Sequence, residues 1–232
     1  SSNTASPTAT PTAGGTLTIS ATGASQYGIQ LASGSLVSYG AMSVTSRSAG
    51  AFQGLYVYGT GTFKAVGNIT IDTATSGAQW GFQFDDSRVI QSTAGDISIA
   101  ATGNYGMYAN GSIIASTSTT DTSLAAAPLT GGSITISATG RTQQGLEMAA
   151  GSLIANNAVN ITGSATGAYI GVKIAGAGTM KAVGNITIIA TNTGAQWGTY
   201  IDSSRVIQTT AGNISLTTTA TAGHGIYING GG

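Results

Sequence analysis

Residues 64–70 read KAVGNIT, and the same seven letters return at 181–187, a shift of 117 positions. That shift runs through the whole chain. It carries GAQWG at 77–81 onto 194–198, SRVIQ at 87–91 onto 204–208 and TISATG at 18–23 onto 135–140. Even the leader obeys it, SSNTASPTATPTAGG at 1–15 falling on STTDTSLAAAPLTGG at 118–132. No gap is needed until TTTATAGHGIYING, which has two residues more than its counterpart AATGNYGMYANG. A fixed internal period of this kind marks a repeat architecture, whose units bury their apolar faces against one another. The chain therefore divides into two tandem units, 1–117 and 118–232, each led by a loop (1–13 and 118–130). The expectation is a segment of a longer array.

A shorter period lies inside each unit. Segments open at Gly14, Ala41, Asn68 and Asp96, then at Gly131, Ala158, Asn185 and Asn213, with lengths of 27, 27, 28 and 35 before the pattern restarts. Each resolves into three strand-like pieces. The first alternates, as a strand with one buried face does. Its inner pairs are Leu17/Ile19, Met42/Val44, Ile69/Ile71 and Ile97/Ile99, then Ile134/Ile136, Val159/Ile161, Ile186/Ile188 and Ile214/Leu216. The second reads Gly, apolar, variable, apolar, from GIQL at 28–31 to GIYI at 225–228, weakened only at Ala109 and Thr199. The third runs SLVS at 35–38, TFKA at 62–65, RVIQ at 88–91 and SIIA at 112–115, then SLIA, TMKA and RVIQ in the second unit.

Three short strands with one apolar face cannot offset backbone ordering costs of about 1–2 kcal/mol per residue. Stacking like segments can. Each inner Ile or Val lands on its equivalent in the next coil, and the backbones pair at about 4.8 Å. Glycines at recurring corners permit positive φ or close approach. A propeller blade would need roughly 40–50 residues, and a helical period fits no segment. The predicted fold is all-β: a right-handed parallel β-helix (β-solenoid) of about eight coils of 27–28 residues, three strands per coil. The hand follows from the preference of parallel crossovers. Such a rod is on the order of 40 Å long. Neither end reads as a cap, so its strand edges are expected to accept another coil.

Composition narrows the partners. Net charge is zero and only 6% of residues are charged, which gives no electrostatic footprint for nucleic acid or an anionic membrane. No apolar run reaches the roughly 18–20 residues of a membrane span. No charged stretch followed by an apolar one opens the chain, so any export signal is expected upstream. The absence of Cys excludes disulfides and thiolate metal sites.

The phrases GNITI, GSLIA and TAGNISL, spaced by ATG and GIYI-type strands, resemble the filamentous-haemagglutinin-like exoproteins of bacteria, and autotransporter passengers are similar. The resemblance covers the chain from Gly14 onward and is carried by repeat style. It implies a β-helix exported to the cell surface as a stalk, fibre or adhesive. The coils here are longer than is typical of that group, and its secretion-recognition domain is not among these residues.

Candidate chemistry is sparse. Asp85, Asp86 and Asp202 precede Arg88 and Arg205 in DDSR and DSSR turns, which suggests local turn ion pairs. A β-helix lyase or glycosidase needs several carboxylates converging on one cleft; these acids recur only four coils apart, about 19 Å. His224 is the single histidine, so no Ser-His-Asp set is available. No catalytic residue, cofactor or metal is expected. The column Thr18, Ser43, Thr70, Ser98, Thr135, Asn160, Thr187, Ser215 invites comparison with water-ordering threonine arrays, but its flank Thr16, Ala41, Asn68, Asp96 is no such array. Asn68, Asn160, Asn185 and Asn213, in N-x-Ser/Thr triplets, are expected to hydrogen-bond along the rod. Tyr56, Tyr108, Tyr200 and Tyr227 fill the variable slot of the second strand, and Trp80 and Trp197 precede it. These six form the candidate contact surface, for a lateral filament neighbour or surface glycans. The other reading of them is packing beneath a loop. The sequence thus points to a structural or adhesive segment of an extracellular filament, stacking end to end with adjacent repeats or copies of itself. The alternatives are a carbohydrate-active β-helix protein and an inert surface-layer or matrix protein.

Overall fold

A computed structural model describes residues 14–85, 88–117, 131–202 and 204–229. The loops 1–13 and 118–130 and Asp86 fall outside these residues. The alternating columns become three parallel sheets with no helix among the described residues. Sheet 1 stacks Leu17–Gly23, Met42–Ser48, Ile69–Thr75, Ile97–Gly103, Ile134–Gly140, Val159–Ala165, Ile186–Asn192 and Ile214–Ala220. Sheet 2 stacks Ile29–Leu31, Leu55–Val57, Trp80–Phe84, Tyr105–Ala109, Leu146–Met148, Val172–Ile174, Thr199–Asp202 and Ile226–Asn229. Sheet 3 stacks Leu36–Ser38, Thr62–Ala65, Val89–Ser92, Ser112–Ala115, Leu153–Ala155, Gly178–Ala182 and Arg205–Thr209. The chain visits them in rotation, one strand each per coil. The result is a β-solenoid of about seven turns, whose eighth coil is described through its second strand.

Like sits on like, as the repeat requires. Ile97 lies between Ile69 and Ile134, and Ile186 between Val159 and Ile214. The inner columns fuse into one core, including Met42, Leu55, Phe63, Phe82, Ile97, Met107, Ile134 and Ile188. The two weak points of the second-strand pattern are compensated. Ala109 lies over Phe84, whereas the second unit pairs Ile228 with Ile201. A large–small pair is exchanged for two of middle size, the kind of swap that close-packed cores tolerate. Thr199 is fully buried, and its hydroxyl meets that of Thr218 at 2.7 Å. Two polar groups thereby satisfy each other inside the core.

The first strands have seven residues and run well past their inner apolar pairs. Their second halves point small residues inward, such as Ala101, Ala138 and Ala190. That half faces the glycine that opens each second strand. A Cβ on Gly81 would lie 2.6 Å from the Thr102 backbone, and one on Gly145 2.6 Å from that of Ser164. The glycine column therefore marks a corner where two backbones nearly touch.

The third strand corrects the sequence alignment by one residue. Thr62 pairs with Val89 and Phe63 with Ile90, so VIQS, not RVIQ, matches TFKA; Val206 and Ile207 likewise pair with Thr179 and Met180. The slip puts Arg88 at the corner between sheets 2 and 3, only 2% exposed. Its Nη1 donates to the carbonyls of Tyr58 at 2.9 Å and Leu31 at 3.3 Å, its Nη2 to Gly34, and its Nε to Gly61 at 3.4 Å. Its guanidinium also sits 5.9 Å from the centre of the Phe63 ring. Arg205 repeats the arrangement 117 residues on, donating to Gly151 and, at 2.6 Å, to Ala175. Gly34, Gly59 and Gly61 hold φ of +104°, +75° and +134°, as do Gly151, Gly176 and Gly178 in kind. At these left-handed turns one planar fork from the third coil caps carbonyls of the two coils before it, and at Leu31 it adds to the Tyr58 N–H that this carbonyl already accepts. Both arginines, which the sequence reading placed in turn ion pairs, thus form an inward clamp that it missed.

Arg88→Met should lower the unfolding free energy by at least about 2 kcal/mol, since each buried carbonyl left without a donor costs ~1–3 kcal/mol. Arg88→Lys should fail to restore it, because a single ammonium cannot span three coils. Urea denaturation curves of the two variants test this, and wild-type stability in Arg88→Lys would refute the clamp.

Candidate contact surfaces

The variable slot of the second strand becomes one outward column on sheet 2: Gln30, Tyr56, Gln83, Tyr108, Glu147, Lys173, Tyr200, Tyr227. Beside it runs the position before the corner glycine, where Trp80 lies in register with Tyr105. Hydrogen bonds from the corner glycines place Gln53, Gln144, Trp197 and His224 in the same column. The six candidate residues therefore share a face, but they do not form one stripe.

Three clusters result. Tyr56 stacks on Tyr58 at 4.6 Å and on Tyr27 at 5.6 Å, and Tyr27 meets Phe52 at 4.9 Å. Trp80 contacts Tyr105 at 4.6 Å and Tyr108 at 5.5 Å. Trp197, Tyr200 and Tyr227 are mutually stacked, with centroids 4.9–5.6 Å apart and planes within 21°. Between the second and third clusters lies the ion pair Lys173–Glu147, at 2.7 Å. Tyr27, Phe52, Tyr58 and Tyr105 were not singled out from the sequence. Tyr27 and Tyr105 were visible there, since both precede the corner glycine as Trp80 and Trp197 do.

The rings of the third cluster lie nearly parallel and within stacking distance of one another. Stacking between successive coils ties them together, each aromatic pair adding about 0.5–1.5 kcal/mol beyond area burial.

The outer face of sheet 1 carries the Thr18–Ser215 column and, two residues on, Ser20, Thr45, Asp72, Ala100, Ser137, Thr162, Ile189 and Thr217. The Arg47–Asp72 ion pair and the exposed Ile189 interrupt its hydroxyls. At the corner entering sheet 1, Asn68 Oδ1 accepts from the Asp96 N–H and Asn185 Oδ1 from the Asn213 N–H, both at 2.9 Å. Asp96 Oδ1 accepts from the Ser133 N–H at 2.8 Å. Asn68 and Asn185 thus bond along the rod through their side chains, as their recurrence suggested, whereas Asn160 sits within a sheet 1 strand between Thr135 and Thr187.

The described acids are spread out. Asp72 and Glu147 are ion-paired, Asp96 caps a backbone N–H, and Asp85 accepts from Gln83 Nε2 at 2.7 Å. Burial pulls the Arg205 guanidinium below its ordinary value, and Asp202 pushes it back up. No group of three or more His or acidic side chains that could hold a metal occurs among the described residues. Comparison of the chain with family models, curated proteins and solved structures finds no match.

Trp197→Ala should remove two of the three stacked pairs and lower stability by about 1–3 kcal/mol from the lost pairs, without altering far-ultraviolet circular dichroism. Thermal melts of Trp197→Ala and Trp80→Ala test this. If either variant melts like the wild type, the clusters do not brace the coils.

Proposed function

We propose that this chain is a structural segment of an extracellular β-solenoid filament or large surface adhesin, with the resemblance to bacterial haemagglutinin-like exoproteins indicating the kind of protein it serves. One observation supports this reading above the others. The junction between the two long units is built like any other. Ile97 pairs with Ile134, Met107 with Leu146 and Ile113 with Leu153, so all three sheets cross from one unit to the next without a change of pattern. A domain boundary would interrupt a sheet. A fibre axis does not.

The surface agrees. Only 6% of residues are charged, and the described carboxylates are engaged one by one. An enzyme acting on polysaccharide needs acids gathered at one place. A fibre needs the same coil many times.

Negative-stain electron microscopy of the native, full-length material is the test. Unbranched rods with an axial period near ~19 Å, four coils at about 4.8 Å, are expected. Compact isolated particles would overturn the reading.

A further inference from the structure

Where this rod meets an oxidant, its aromatic clusters are the electron-rich groups within reach. The chain has no cysteine, and its four methionines, Met42, Met107, Met148 and Met180, are at most 1% exposed. Sulfur, the usual first target of oxidation, is thus either absent or sealed in the core. Tyr27, Tyr56, Trp197 and Tyr200 are half-buried instead, and Tyr227 is exposed. Two of the clusters also stack tyrosines of successive coils on each other. Tyr27 and Tyr56 lie 5.6 Å apart with planes 21° from parallel, and Tyr200 and Tyr227 lie 5.6 Å apart at 16°. Tyr200 and Tyr227 are in addition direct register partners in sheet 2.

We propose that these two pairs are oxidative cross-linking sites, at which a haem peroxidase with hydrogen peroxide joins Tyr27 to Tyr56 and Tyr200 to Tyr227 as dityrosine. Each phenol gives one electron and its proton to the oxidant and becomes a phenoxyl radical. The two radicals form one carbon–carbon bond between their Cε atoms, ortho to the oxygens. The hydrogens on those carbons leave as protons, the phenolic oxygens regain protons, and both rings are aromatic again. Each link therefore removes two hydrogen atoms from the chain and turns one peroxide into two waters. Stacking favours this outcome, because a radical formed on one tyrosine already has its partner in place. Trp197, 5.1 Å from Tyr200 and 4.9 Å from Tyr227, can pass a radical formed on its indole to either. The links would tie coil to coil covalently in a chain that has no disulfide to do so. They form within one molecule, so they are independent of the filament reading.

The full chain, kept dilute and treated with a haem peroxidase and hydrogen peroxide, should gain the blue dityrosine emission while staying monomeric on a denaturing gel. Trypsin separates the partners, since Arg47 lies between Tyr27 and Tyr56 and Arg205 between Tyr200 and Tyr227. Mass spectrometry should find the peptide ending at Arg47 joined to 48–64, and 182–205 joined to the peptide beginning at Val206, each pair short of two hydrogens. Tyr56→Phe and Tyr227→Phe keep a ring in the stack and remove its phenol, so each should lose its own link and keep the other. The cross-linked chain should also melt at a higher temperature than the untreated one, because each link closes a loop in the unfolded state. Tyr39, 45% exposed, controls for exposure alone. Links to Tyr39 in equal yield would overturn the assignment, as would tyrosines oxidised singly with no linked peptides, or coupling found only between molecules.

Discussion

Parallel pairing between consecutive coils is the constraint from which the rest follows. A strand in this fold has no partner within its own coil, so every ladder bond reaches to the coil before or after. That makes each coil's shape a copy of its neighbour's. Coil length is still free to vary: Leu17 pairs with Met42, 25 residues on, and Ile69 with Ile97, 28 on. The difference is absorbed at corners, where backbone leaves the ladder and its carbonyls need other donors. The arginine clamps and the side-chain bonds of Asn68 and Asn185 are answers to that need. Both occur where the ladder cannot serve.

How much of this could be read in the sequence depends on side-chain size. Ile, Leu and Val in strict alternation fixed the inner columns of sheet 1, because only a strand buries every second residue. The second halves of those strands stayed hidden, since Ala138 or Gly163 facing inward looks no different from Ala or Gly in a turn. RVIQ misled for another reason. Either phase of Val-Ile places an apolar residue inside, and a charge at Arg88 argued for an exposed turn. Only the three-dimensional corner shows that the carbonyls gathered there make burial of that guanidinium favourable.

The aromatic residues were read as a surface for partners, and the structure gives them a second task. Rings one coil apart stack on each other, much as the inner aliphatic columns do. Their grouping into three clusters, with Lys173 and Glu147 between two of them, means that the outer face of sheet 2 alternates between apolar and charged bracing. Both kinds of bracing tie one coil to the next.

The arginine clamp also governs how the rod would respond to load. Tension along the axis falls on the inter-coil bonds, and a coil that peels away releases slack: 27 residues at about 3.3–3.6 Å each lengthen the chain by some 90 Å. A ladder alone would unzip from its end, one bond at a time. Arg88 is held by carbonyls from both preceding coils, so those coils cannot come free singly at that corner. Every fourth coil carries such a tie, and a tear would have to restart at each one, dissipating energy in steps as a rip-stop weave does in cloth.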